Sequence, residues 1–335
     1  MTATGPTAEA TEARGPGGRR AAWRAGALLL LVTLAALTPL LGPSVALHGT
    51  GEAAAPGTGG IALLRGVVFA ALCVPSGELL VHRLARRLPG RPPEPPSGWA
   101  VFAAAAGFVA ALGLASVVAT GNLVPHSLAD VEVGGLYRTR DGRLALIEVN
   151  AFVLAGLCAR ARPAIQVWPL AAVVASEALR AHPPPEHAPL LGSALTLVHL
   201  TCATLWAGGL LHALRLVRRW RAGRAGTALL GLYARVAAVL LAAVTATGVW
   251  SSLRRMPAGT VLDQLTTTAY GRTLLAKAVL VVAVAALALW ARFRLRRAAD
   301  PLAAYVPARA EVALLGVVVA VSGLLTALPV PIRWT

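Results

Sequence analysis

Charged side chains are scarce in this chain, at 13% of its 335 residues, where a soluble domain carries about 25%. Acids are scarcer than bases, 14 against 31, which leaves a net charge of +17. So thin a charged coat excludes an ordinary soluble enzyme. The three cysteines, Cys73, Cys158 and Cys202, all sit in apolar stretches, which excludes a disulfide framework. Methionine occurs only at Met1 and Met256, so no thioether ladder is present. The chain has no Walker loop, no CxxC pair and no ion-pump phosphorylation aspartate, which excludes an ATP-driven pump and a nucleotide cofactor. Every base except Lys277 is arginine; together with the high Ala, Gly and Pro content, this points to a GC-rich bacterial genome.

What is abundant is apolar sequence, 57% of the chain, in blocks of the roughly 20 residues that a bilayer-crossing helix needs. Nine blocks qualify, near 25–47, 59–81, 98–119, 144–160, 163–181, 188–213, 228–251, 272–291 and 310–328. The expected fold is all-α, a polytopic transmembrane bundle of about nine spans, or eight if the first is cleaved after Ser44-Val45-Ala46. The length of the first apolar run favours an uncleaved anchor. Arginines collect in alternate gaps (14–24, 83–91, 160–162, 215–224 and 292–309), so they read as topology signals and not as a nucleic-acid footprint. The positive-inside rule then places the N-terminus in the cytoplasm and the C-terminus outside. Seven tryptophans, Trp23, Trp99, Trp168, Trp220, Trp250, Trp290 and Trp334, fall at or just beyond span ends, as interfacial anchors do. Trp206 alone lies deep in a span. Three regions follow: a disordered cytoplasmic tail (1–23), N-terminal spans with a proline-rich cytoplasmic linker at 88–98 and a long external loop at 120–143 (24–174), and a C-terminal transmembrane domain (175–335).

Ionisable groups inside spans need partners or water. Arg65, Glu148, Glu177 and Lys277 occupy outer halves, where two acids and two bases can pair off. Glu78, Arg235 and Glu311 occupy inner halves, with one acid in excess. Interhelical pairing and a proton or cation relay are the two readings. Among the histidines, His48, His126, His182 and His187 fall at the external face, His82 and His212 at the internal face, and His199 near mid-membrane. Imidazole ligates copper, zinc and haem iron. His182 and His187, joined by three prolines and Glu186, have a stiffened spacing that suits a metal. His199, Cys202 and Trp206 are three and four residues apart and share a helical stripe, which offers nitrogen, sulfur and an aromatic face to a soft cation. Gly208 and Gly209 permit close approach of another helix.

The run Leu197-Val198-His199-Leu200 through Trp206-Ala207-Gly208-Gly209-Leu210 resembles the His-Leu…Trp-x-Gly-Gly-Leu signature of the bacterial copper-resistance D (CopD-like) family. Tyr233–Trp250, the segment Tyr270-Gly271-Arg272-Thr273-Leu274-Leu275-Ala276-Lys277, Arg292-Phe293-Arg294-Leu295 and the last helix ending at Pro329 and Pro331 extend the likeness over about 175–332. Ala291 stands where the family often has asparagine. The resemblance implies a non-enzymatic multi-pass protein of the bacterial cytoplasmic membrane that handles copper, as Cu(I) or Cu(II), and passes it inward. It also implies a separate external CopC-like copper-binding partner. On this reading copper docks at His182 and His187, with His48 or His126, and moves to His199, driven by about 2.3 kcal/mol per charge per 100 mV of membrane potential. Tyr270, Arg272 and Lys277 lie near the external mouth as anchors or as a gate paired with Glu177 or Glu148. The alternatives are a non-transporting scaffold or sensor for a copper-binding partner, and a haem-binding electron-transfer protein.

Overall fold

A computed structural model describes residues 37–53, 55–90, 98–121, 127, 132–220, 223–256, 259–297 and 305–330, the side chains of 294–308 excepted. The 1–23 tail, the start of the first span, most of the proline-rich linker, His126, Pro331 and Trp334 lie outside the described residues. The described backbone is helical without strands. In chain order the helices are α1 (37–47), α2 (Thr58–Ala85), α3 (Ala100–Ala119), α4 (Val133–Arg138), α5 (Arg140–Ala161), α6 (Val167–Arg180), α7 (Pro189–Arg219), α8 (Arg224–Arg255), α9 (Val261–Thr267), α10 (Ala269–Arg297) and α11 (Tyr305–Leu325).

Each expected span carries a helix, and among the described residues α2, α3, α5, α7, α8 and α10 are long and apolar enough to cross a membrane. Their boundaries depart from the expected ones where turn chemistry intervenes. The 120–143 loop is partly helical. It holds α4, and α5 starts at Arg140 because the Thr139 hydroxyl accepts the Gly142 N–H at 3.0 Å, an N-cap. The fifth span is split. Pro163 opens a 3₁₀ turn (Pro163–Gln166) before α6, whose 14 residues rise only about 21 Å. Buried Gln166 fastens that turn, its Nε2 donating to the Ala155 carbonyl of α5 at 3.0 Å. α7 and α8 continue past their apolar stretches, so Arg215, Arg218, Arg219 and Arg224 are helical residues.

α2 is the central helix, packed on α3, α7 and α11. One core, with Leu72, Leu114, Phe152 and Val173, joins α2 to α3, α5 and α6. The other, with Trp206, Leu216, Leu229, Tyr233 and Leu315, joins α2 to α7, α8 and α11. At the α2–α7 crossing the backbones touch: a Cβ on Gly77 would overlap the Gly208 carbonyl group, and one on Gly208 would overlap the Cys73 carbonyl. This is the close approach expected of Gly208. Gly209 backs onto the Tyr233 ring in the same way. Outward surfaces carry bare apolar groups such as Phe102, Leu190 and Val282, as lipid-facing helices do.

Helix ends gather at two faces of the bundle, called internal and external here after the arginine alternation. At the internal end, the end of α2 (Glu78) meets the starts of α3 (Trp99) and the end of α7 (Arg215). At the external end, Arg272 at the start of α10 reaches the His48 carbonyl after α1, and Arg254 at the end of α8 reaches the turn before α7.

The Gly77–Gly208 contact gives a test. Gly208→Val forces side chain into backbone, an overpacking cost of about 1–3 kcal/mol or more, whereas Gly231 has open space around it. In detergent, thermal unfolding of Gly208→Val should fall by several degrees and Gly231→Val should match wild type. Equal midpoints for all three would refute the crossing.

Candidate functional site

A cavity of about 170 Å³ lies between α2, α6, α7, α8, α10 and α11, and His199, Lys277, Arg65, Glu177 and Thr196 are among its wall residues. A second cavity, of about 250 Å³, lies between α7, α8, α10 and α11 and includes Tyr233, Glu311 and Arg292. Trp206, 4% exposed, lines both. Its carbonyl accepts the Tyr233 hydroxyl at 2.6 Å, which ties α8 to α7 at the boundary between the two spaces.

His199 carries a fixed tautomer. The Thr247 hydroxyl lies 2.7 Å from the Ala243 carbonyl and 3.0 Å from His199 Nδ1. Its one hydrogen goes to the carbonyl, so its oxygen accepts from Nδ1–H. That leaves Nε2 unprotonated, as a ligand nitrogen requires. Lys277 stands close enough to act electrostatically on this ring and has no acidic partner among the described residues.

The intramembrane charges pair differently from the sequence expectation. Glu148 and Glu177 do not take Lys277. Arg180, at the end of α6, binds Glu148 at 2.8 Å and Glu177 at 3.6 Å, while Arg65 sits 3.8 Å from Glu177. Arg180 wins because it lies one turn from Glu177 on the same helix and faces α5. On the inner side Glu78 pairs with Arg215 at 3.1 Å, not with Arg235, which projects outward. Glu311 is 5% exposed and has no ion pair among the described residues.

The external histidines are dispersed. His182 is buried in the turn before α7, with Nδ1 2.6 Å from Glu186 Oε2 and Nε2 2.9 Å from Thr196 Oγ1, so both ring nitrogens are engaged. Thr196 also lines the upper cavity, one turn before His199. His187 is exposed, and its carbonyl and that of Ala188 accept Arg254 Nη2 at 2.5 and 3.1 Å. Arg254 thereby holds Ala188 at φ 50°, a left-handed conformation that alanine rarely adopts, just before Pro189 opens α7. His48 is exposed. Cys202 is half-buried against the α7–α8 core and is not among the cavity-lining residues.

Tyr270, Gly271 and Arg272 build the external mouth. Arg255 Nη1 donates to the Tyr270 hydroxyl at 3.4 Å, Arg272 Nε donates to the Thr266 carbonyl at 2.7 Å, and Gly271 packs directly on the Gln264 carbonyl. Sequence reasoning missed Thr247, Thr196 and Tyr233, ordinary helical residues by pattern. It also missed Glu52, whose carboxylate accepts the Ala269 N–H that opens α10 at 3.0 Å.

Burial lowers the proton affinity of the His182 imidazole below its ordinary value of 6.5, with the Glu186 carboxylate opposing. The unfolded ring therefore takes up a proton that the folded ring resists, and stability is lost as pH falls below about 6.5. The thermal midpoint should drop between pH 7 and pH 5, and His182→Gln should flatten that drop. Parallel profiles would show that the ring is not the titrating group.

Residues 227–325 match the family model described as copper resistance protein D. That stretch contains Tyr233, Tyr270, Gly271, Arg272, Lys277 and Glu311, and it leaves His182, His187, His199, Cys202, Trp206, Gly208 and Gly209 upstream. No curated protein and no solved structure matches the chain. From α8 to α11, over residues 227–325, this chain with its long apolar helices is similar to copper resistance protein D.

Proposed function

We propose that this protein carries copper, as the monovalent ion, inward across the bacterial cytoplasmic membrane through the cavity that holds His199. The observation that carries the reading is a mid-membrane imidazole whose Nδ1 proton is fixed on Thr247, so that Nε2 is a ready metal ligand on a cavity wall. Lys277 shapes the chemistry. An ammonium beside His199 repels an arriving cation, so copper shares the cavity only when Lys277 gives up its proton, and the neutral amine then becomes a second nitrogen ligand. Copper entry is thereby exchanged against a proton. Trp206 separates this space from the lower cavity, where the Glu311 carboxylate offers the next stabilising charge. Exposed His187 and His48 at the external mouth suit delivery by a separate CopC-like copper-binding protein. Opening His182 to a metal requires displacing Thr196 or Glu186.

A non-transporting scaffold would have no use for an oriented imidazole at this depth. The haem alternative is disfavoured by size, since about 170 Å³ is well below the roughly 300 Å³ at which pockets for drug-sized ligands begin.

Removing an orienting partner typically costs 10–100-fold in metal affinity. Thr247→Val should weaken Cu(I) binding by about tenfold in an anaerobic chelator competition. His199→Ala should abolish that binding event and lower copper accumulation in cells expressing the protein at wild-type levels. Unchanged affinity and accumulation in both variants would sink the proposal.

A further inference from the structure

α8 packs chiefly on α7, and α10 on α11 and α9, but α8 and α10 are not packed on each other. The lower cavity of about 250 Å³ is the groove between them. It follows α8 from Leu230 to Leu241, a rise of about 16 Å. Ala234 and Ala237 form one wall and Ala285 and Ala288 the other, over a floor of Trp206 and Tyr233. Side chains this small hold open a gap that leucine or valine would close. The rim residues Ala238 and Leu289 are exposed, so the groove opens toward the acyl region of the bilayer.

Two charged groups reach this groove, Arg292 and Glu311. Each lies in the second turn from the internal end of its helix, α10 or α11, and so at the groove's internal mouth. They do not pair with each other, and neither has an ionic partner among the described residues. Arg292 is exposed. Glu311 is 5% exposed, and a carboxyl buried without a hydrogen-bond donor is a standing cost. A third charge, Arg235, projects from the outward face of α8, one turn before Ala238 on the rim. An arginine at that depth bends its long side chain back to headgroup level. The groove is thus apolar along its length, with two guanidiniums and one carboxyl at the end where lipid head groups lie.

We propose that this groove binds a phosphatidylethanolamine of the internal leaflet, with one acyl chain between α8 and α10 and the head group across Arg292 and Glu311. The phosphate accepts from Arg292 and Arg235, and the ammonium donates to the Glu311 carboxylate. The pattern of charge selects the head group, as basic pockets between spans select anionic ones. Choline has no N–H to donate, and phosphatidylglycerol would set an anion beside Glu311 with no cation for it. A second copy of the chain would have to bring an acid to Arg292 and a base to Glu311 at one depth, whereas a single zwitterion brings both. The lipid supplies the wall that the bundle lacks between α8 and α10. This site goes beyond the copper reading and does not rest on it; a cation leaving the lower cavity would displace the ammonium from Glu311 in passing.

Spin-labelled lipids in phosphatidylcholine vesicles that hold the purified full chain test this. The motionally restricted fraction of chain-labelled phosphatidylethanolamine should exceed that of phosphatidylcholine and of phosphatidylglycerol by about threefold, the scale of an exposed ion pair. Glu311→Gln, an isosteric change, should bring it down to the phosphatidylcholine level. Arg292→Gln, at an exposed position, should lower it without disturbing the fold. Ala288→Leu fills the groove and should lower the restricted fraction of all three lipids. Equal binding of the three lipids by wild type, a preference for phosphatidylglycerol, or a phosphatidylethanolamine preference that survives both charge variants would overturn the proposal. So would a dimer in detergent that Ala288→Leu dissociates, since a second copy would then be what fills the groove.

Discussion

The contact between the α2 and α7 backbones at Gly77 and Gly208 is the constraint on which the rest of the bundle depends. Two helices can come that close only where both lack a Cβ, and the crossing sets the depth and rotation of α7 against everything else. Above it, His199 and Trp206 line the upper cavity. Below it, His212 and Arg215 meet Glu78 of α2. With no hydrophobic driving force between helices inside a bilayer, such packing contacts are what associate them. A branched side chain at either glycine would move the candidate ligands relative to both cavities.

The second constraint is the cost of polar groups in hydrocarbon. Most of the intramembrane charge is resolved by pairing, in the run Arg65–Glu177–Arg180–Glu148 outside and in Glu78–Arg215 inside. Among the described residues Arg235, which projects outward, Lys277 and Glu311 are left over, and the last two each line a cavity, one on either side of Trp206. Side chains that serve only to hold helices together would be expected to find each other. These two are kept apart by an indole, as stations along a charge-carrying path would be.

Much of the architecture was legible because bilayer physics writes it in plain composition: apolar blocks of span length, arginines in alternate gaps, tryptophans at the ends. Boundaries were less legible where a single group decides them, such as the Thr139 cap that starts α5 or Pro163, which divides the fifth span. Pairing among charges was not legible, because it depends on the rotation of each helix, and Arg180 took both outer acids. His199 stood out as an imidazole with no business in hydrocarbon. Thr247, which fixes its tautomer, did not, since one threonine in a helix resembles any other. The likeness to copper resistance protein D, read from motifs over about 175–332, is matched by the family model at 227–325. The histidine-bearing stretch of α7 therefore rests on its geometry.

The central claim is that a monovalent cation crosses through the His199 cavity in exchange for a proton. Copper(I) uptake by vesicles reconstituted with the purified protein, followed together with internal pH under an imposed inside-negative potential, addresses it most directly. The account predicts copper entry with alkalinisation of the lumen, both absent in His199→Ala vesicles and both insensitive to the imposed potential, because one cation is exchanged for one proton. Copper entry that is equal in wild-type and His199→Ala vesicles, or no entry above protein-free vesicles, would contradict it.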